Sequence, residues 1–77
     1  MANIHVADVT LHVDETLGKD ARAKLEKDLR SLDGVTDVRS SAKAPHLLVV
    51  RYEADHVKSK DILKVVLGDR LHAELIG

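Results

Sequence analysis

The spacing of apolar residues in this 77-residue chain switches from two to about four and back again, twice. Val9, Leu11 and Val13 alternate with Thr10, His12 and Asp14, the pattern of a half-buried strand within residues 4–13. Ile4 and Val6 have the opposite parity, so residues 1–8 form an N-terminal extension of that strand, either separate or joined through a bulge. Leu17, Ala21, Leu25 and Leu29 then recur every fourth residue among charged neighbours, as in an amphipathic helix. Asp14 or Thr16 is expected to cap its start, with the poor helix former Gly18 in its first turn, and Gly34 to supply a left-handed stop. Residues 35–42 are a weaker strand, with Val38, Ser40 and Ala42 on one face and Arg39 and Ser41 on the other. Residues 43–45 are expected to turn, because Pro45 cannot donate to a central ladder. Residues 46–53 are the strongest strand.

A polar link at 54–58 leads to a second helix, opened by Ser59 with Asp61 in its first turn. Ile62, Leu63, Val65 and Val66 supply its apolar side, and Gly68 ends it. Residues 71–76 close the chain as a strand with Leu71, Ala73 and Leu75 on one face. The order is βαββαβ in a single domain over residues 1–77. Two βαβ halves with right-handed crossovers give the α+β ferredoxin-like sandwich, a four-stranded antiparallel sheet with two helices on one face. The expected strand order is 4-1-3-2.

Composition removes several functions. The chain has no Cys, Phe or Trp, one Tyr (Tyr52) and a net charge of −1. It therefore lacks disulfides, thiolate metal ligands and a cysteine nucleophile. The balanced charge argues against a binder dominated by phosphate contacts, and the scarcity of aromatics against stacking RNA bases on the sheet. No apolar run is long enough for membrane insertion, and the first residues do not resemble a signal peptide, so a cytoplasmic protein is expected.

Four stretches carry a family resemblance: Leu11-His12-Val13, Leu32-Asp33-Gly34-Val35-Thr36-Asp37-Val38, Val50-Arg51-Tyr52-Glu53-Ala54-Asp55 and Lys58-Ser59-Lys60-Asp61-Ile62-Leu63. Together they resemble the heavy-metal-associated domain of copper chaperones and metal-pumping ATPases, over nearly the whole chain. That resemblance implies the same fold. The family binds a soft cation through Met-X-Cys-X-X-Cys between the first strand and first helix, and the matching stretch here is Thr16-Leu17-Gly18-Lys19-Asp20-Ala21. Gly18 and Ala21 stand where the cysteines would be, and neither has a donor atom. The resemblance thus implies a degenerate member whose metal-binding motif is lost.

Other candidates are fewer. Asp14, Glu15 and Asp20 are carboxylates near a helix start and do not follow a calcium-loop spacing. His12 and His72 are expected on the open side of adjacent strands, where directly opposed residues lie roughly 5 Å apart and can share a weakly bound Zn²⁺ or Cu²⁺. Otherwise no cofactor is expected. Ser31, Ser40, Ser41 and Ser59 have no His–carboxylate arrangement beside them, so no enzyme is expected. If Leu48, Val50 and Tyr52 pack under the helices, Leu47 and Val49 lie on the open face, extended by Ile76 and rimmed by Arg39, Arg51 and Glu74. Apolar residues within a charged rim suit contact with another protein or with a second copy as a homodimer. The alternatives are ordinary scattered exposure, or cover by Ile4 and Val6. The first reading is a non-catalytic interaction or self-association module. The second is a metal-binding or chaperone protein using His12 and His72 in place of cysteines.

Overall fold

The computed structural model describes residues 5–41 and 43–76. Ile4 and Ala42, which the sequence places in the extension and in the second strand, lie outside the described residues. The elements run β1 (Val6–Val13), α1 (Lys19–Arg30), β2 (Val35–Ser41), β3 (Ala44–Glu53), α2 (Ser59–Gly68) and β4 (Ala73–Leu75). The strands form one antiparallel sheet in the order β2-β3-β1-β4, the ferredoxin-like arrangement expected from the periodicity.

Alternation explains which face is covered. Val9, Leu11 and Val13 of β1 and Leu48 and Val50 of β3 are buried, together with Val38 of β2. Leu25 and Leu29 of α1 and Ile62 and Val66 of α2 pack onto them. The core is entirely aliphatic, and none of its buried side chains is polar or charged. Fully burying each such side chain is worth roughly 1.5–3 kcal/mol. Outside the core, Lys24 ties the two helices together by donating to Asp28 at 2.9 Å and to Asp69 at 3.1 Å.

Several local expectations are corrected. β1 pairs with β3 in unbroken register from Val6 to His12, so residues 6–8 continue the strand without a bulge. α1 begins at Lys19, and neither Asp14 nor Thr16 caps it. Gly18 is its N-cap in extended backbone, and its carbonyl accepts the Arg22 N–H at 2.9 Å. Leu17 is buried ahead of the helix, whereas Ala21 is exposed. α2 opens at Ser59 with Asp61 in its first turn, as expected, and the Asp61 carboxylate accepts the N–H of the N-cap residue Lys58 at 3.2 Å.

Pro45 lies inside β3 rather than in a turn. The β1–β3 ladder reaches only as far as Leu47, and the β2–β3 ladder shifts register between Ser40↔Leu48 and Ser41↔Ala44. Pro45 therefore occupies an irregular stretch, where a missing N–H is tolerated. Val57, within the supposed polar link, is a core residue. It closes over Gly34, whose φ of +98° provides the left-handed stop expected after α1. A Cβ on Gly34 would approach Val57 Cγ1 to 2.9 Å.

β4 is shorter than expected. It follows Arg70, which has a positive φ of 64°. Pairing with β1 nonetheless continues on both sides, through Asp14 N–H to the His72 carbonyl at 2.7 Å and Ile76 N–H to the Thr10 carbonyl at 2.9 Å.

Candidate functional site: the open face of the sheet

The face opposite the helices is built by the alternate residues of the same strands. The register sets them in rows across the sheet. Asp37, Arg51 and Asp8 form one row, and Arg39, Val49 and Thr10 the next, continued by Ile76 through its bond to Thr10. A third row holds Leu47, His12 and Glu74. Leu47 and Val49 keep 38% and 37% of their surface exposed although β3 is a central strand, and Ile76 keeps 53%. The structure thus brings Leu47, Val49, Arg51 and Ile76 to one face, as alternation predicts.

The charges beside this patch are paired within the face. Arg51 Nε donates to Asp8 Oδ1 at 3.0 Å, and Arg39 Nε to Asp37 Oδ2 at 2.9 Å. The Arg39 guanidinium holds the Asp37 carboxyl below its usual range, and Asp8 holds the Arg51 guanidinium in its charged form. Two shallow depressions flank Val49. One is lined by Asp8, Asp37, Arg39 and Arg51, and the other by Arg39, Ser40, Ala44 and Leu47. Among the described residues Glu74 has no ion-pair partner. The roles of Thr10 and Asp8 on this face were open to sequence reasoning through the parity of β1, but their neighbours depended on register.

One end of the sheet gathers the imidazoles, in an arrangement different from the expected one. Glu74, not His72, lies opposite His12. His12 instead stacks on His46, with ring centroids 5.7 Å apart and planes inclined by 20°. A carbonyl can only accept, so the His46 Nδ1 that lies 2.9 Å from the Val13 carbonyl carries the proton. His46 Nε2 is left facing the Thr16 hydroxyl at 3.5 Å. His12 Nδ1 lies 3.5 Å from Asp14 Oδ1 and makes no hydrogen bond among the described residues.

His72 is clamped elsewhere. Its backbone N–H and its Nδ1 donate to the two oxygens of Glu15, at 2.8 and 2.7 Å. These bonds hold the Glu15 carboxyl below its ordinary value, and the Glu15 carboxylate raises the His72 imidazole above its own. His46 as the partner of His12 is not legible in the sequence, because the β1–β3 ladder pairs His12 with Leu47 and the imidazole contact forms just beyond its end.

The loop that matches the family's metal motif is open. Gly18 and Ala21 are both exposed at the start of α1, and a Cβ on Gly18 would meet nothing within 4 Å. Glu15 is engaged by His72, and Asp20 sits in the favourable first turn of α1. Among the described residues no three His, Asp or Glu side chains converge as a metal site. No helix among them is long and apolar enough to cross a membrane.

Comparison with known proteins bears on the fold. No family model matches the sequence, and no curated protein matches it. Solved structures do match. Oxidized MerP from Ralstonia metallidurans superposes with a TM-score of 0.84 at 15% identity, covering 95% of this chain and 100% of that one. A putative copper-ion-binding protein from Bacillus anthracis gives 0.83 at 21% identity, covering 94% of this chain and 100% of that one. The N-terminal domain of a potential copper-translocating P-type ATPase from Bacillus subtilis, in its Cu(I)-loaded state, gives 0.84 at 16% identity, covering 95% and 90%. The chain therefore shares the ferredoxin-like fold of these three structures, on a sequence that contains no cysteine.

Proposed function

We propose that this chain is a non-catalytic protein-contact module, built on the scaffold of a copper-binding domain and working through the open face of its sheet. The observation that carries the reading is the pair Leu47 and Val49, exposed side by side on a central strand whose alternate residues Leu48 and Val50 are buried in the core. Ile76 extends the pair at the β4 edge, and Arg39 and Arg51 beside it are each matched by an aspartate. Such a surface loses little by desolvation of its charges and gains from covering its apolar centre.

Chemistry argues in the same direction. Selecting Cu(I) takes soft sulfur ligands, and the only sulfur in the chain is that of Met1. Gly18 and Ala21 offer no donor in the loop that would hold the ion. His12 and His72 have separate partners in His46 and Glu15.

The test is site-specific photocrosslinking in cells that produce the protein. A photoreactive residue replacing Val49 should capture protein, whether a second copy or another chain. The same residue replacing Lys64, exposed on α2, should capture little. Crosslinks that form only from position 64, or from neither position, would contradict the reading.

A further inference from the structure

The open face has a polarity that selects one kind of occupant. On its outermost strands β2 carries Arg39 paired with Asp37, and β4 carries Glu74, which has no ion-pair partner among the described residues. The two central strands carry Arg51 on β3 and Asp8 on β1. The apolar residues Leu47 and Val49 lie between them, with Ile76 beside Thr10 at the β4 edge. We propose that this face seats a second copy of the chain, related by a two-fold axis that runs along the strands between β1 and β3. The inference rests on the reading of the open face as a contact surface.

The axis follows from the rows. Rotation about a line along the strands keeps every row in place and exchanges β3 with β1 and β2 with β4. Val49 then lies over Thr10 of the other copy, and Leu47 over His12. Arg51 lies over Asp8. Arg39 lies over Ile76, one residue pair from Glu74, which is roughly 7 Å along the strand and within the span of an arginine side chain. Each of these contacts occurs twice. A two-fold axis across the strands through the Val49 row instead sets Arg39 on Arg39, opposing like charges. The axis along the strands sets both Arg51 and Arg39 near a carboxylate of the other copy, Asp8 and Glu74. It also gives the aligned packing that twisted sheets adopt, near −30°.

Size sets the strength. Four strands at about 4.8 Å spacing and some six residues at about 3.4 Å give a planar footprint of roughly 400 Å². Stable complexes bury about 800 Å² per partner, so this dimer is weak, with a dissociation constant of about 100 μM to 1 mM. The side chain of Arg39 is 78% exposed, and its bond to Asp37 on the same strand leaves it free to pivot.

Sedimentation equilibrium between about 20 μM and 2 mM tests the arrangement. The average mass of the wild type should rise towards twice the monomer mass. Arg39→Glu and Glu74→Arg should each weaken the dimer about tenfold, because each sets like charges together at two symmetric places. An equimolar mixture of the two variants should recover the wild-type affinity within about threefold, since both charged contacts of the mixed dimer are again opposite. Positions 39 and 74 lie on strands at opposite edges of the sheet, so the two reversals do not meet within one chain. The reversed charge in Arg39→Glu stands beside Asp37 both alone and in the mixture, so only an intermolecular contact explains recovery on mixing. A wild type that stays monomeric throughout overturns the proposal, as does a mixture no tighter than its components. If the chain is monomeric but Val49 crosslinks to a different protein, the second-copy assignment fails and the contact reading stands. If it is monomeric and Val49 captures nothing, both fail.

Discussion

The two faces of this sheet are made by the same strands and meet opposite ends. On β1 and β3, Val9, Leu11, Val13, Leu48 and Val50 lie beneath the helices with at most 5% exposure. Their neighbours Thr10, His12, Leu47 and Val49 stand on a face that no element among the described residues covers. The covered face is uniform and dry. The open face mixes aliphatic residues with ion pairs and an imidazole stack. Folding accounts for the first pattern, because a small domain without Phe or Trp has only Leu, Val and Ile from which to build a core. Leu47 and Val49 lie outside that core, where the proposed contact with another chain would use them.

The sharpest way to break this contrast is to shorten adjacent residues of β3. Leu48→Ala removes a side chain that is 2% exposed and should cost about 2–5 kcal/mol in urea unfolding. Val49→Ala, one residue away, should change stability by less than about 0.5 kcal/mol. Equal losses would mean that both faces serve the fold.

A second, smaller effect is expected at the turn between α1 and β2. Gly34→Ala places a methyl group 2.9 Å from Val57 Cγ1 and 3.0 Å from His56 Cβ, at a φ of +98°. About 1–3 kcal/mol of destabilisation should follow, read from the same unfolding curves. A neutral result would show that the Val57 segment yields easily and holds this corner only loosely.

The smallest effect concerns the Glu15–His72 clamp beside the open face. His72 is raised above its ordinary 6.5, so its contribution is complete below that value and is lost as pH rises through the folded value. Glu15 is lowered from its ordinary 4.5, so its contribution is complete above that value and is lost as pH falls through the folded one. The stability difference between wild type and Glu15→Gln should therefore be largest between these two ordinary values and shrink on either side. Thermal melts across pH 3.5–8.5 measure it. The His72 ring titration, followed by NMR, should move down in the variant. An unchanged ring titration would mean that the two side chains do not meet in solution.

Much of this architecture was legible in the sequence, and the reasons lie in particular residues. The switch of period and the stop at Gly34 mark both βαβ halves, and the alternation of residues 46–53 already separates Leu48 and Val50 from Leu47 and Val49. Three features were not legible for a common reason, their dependence on register or tertiary packing. Pro45 enters a strand because the ladders beside it are interrupted. Val57 joins the core from a polar segment because it closes over Gly34. His12 meets His46 rather than His72 because β4 pairs Glu74 with it. Alternation identifies the face on which a residue stands, whereas only pairing identifies what stands beside it.

The open face is the surface on which this chain is proposed to meet protein. Amide chemical shifts of the ¹⁵N-labelled chain, compared between about 20 μM and 2 mM, test that most directly for a second copy. The predicted result is concentration-dependent movement at Thr10, His12, Leu47, Val49 and Ile76, absent from α1 and α2 and abolished by Val49→Glu. Movement confined to the helices, or none on any element, would contradict it.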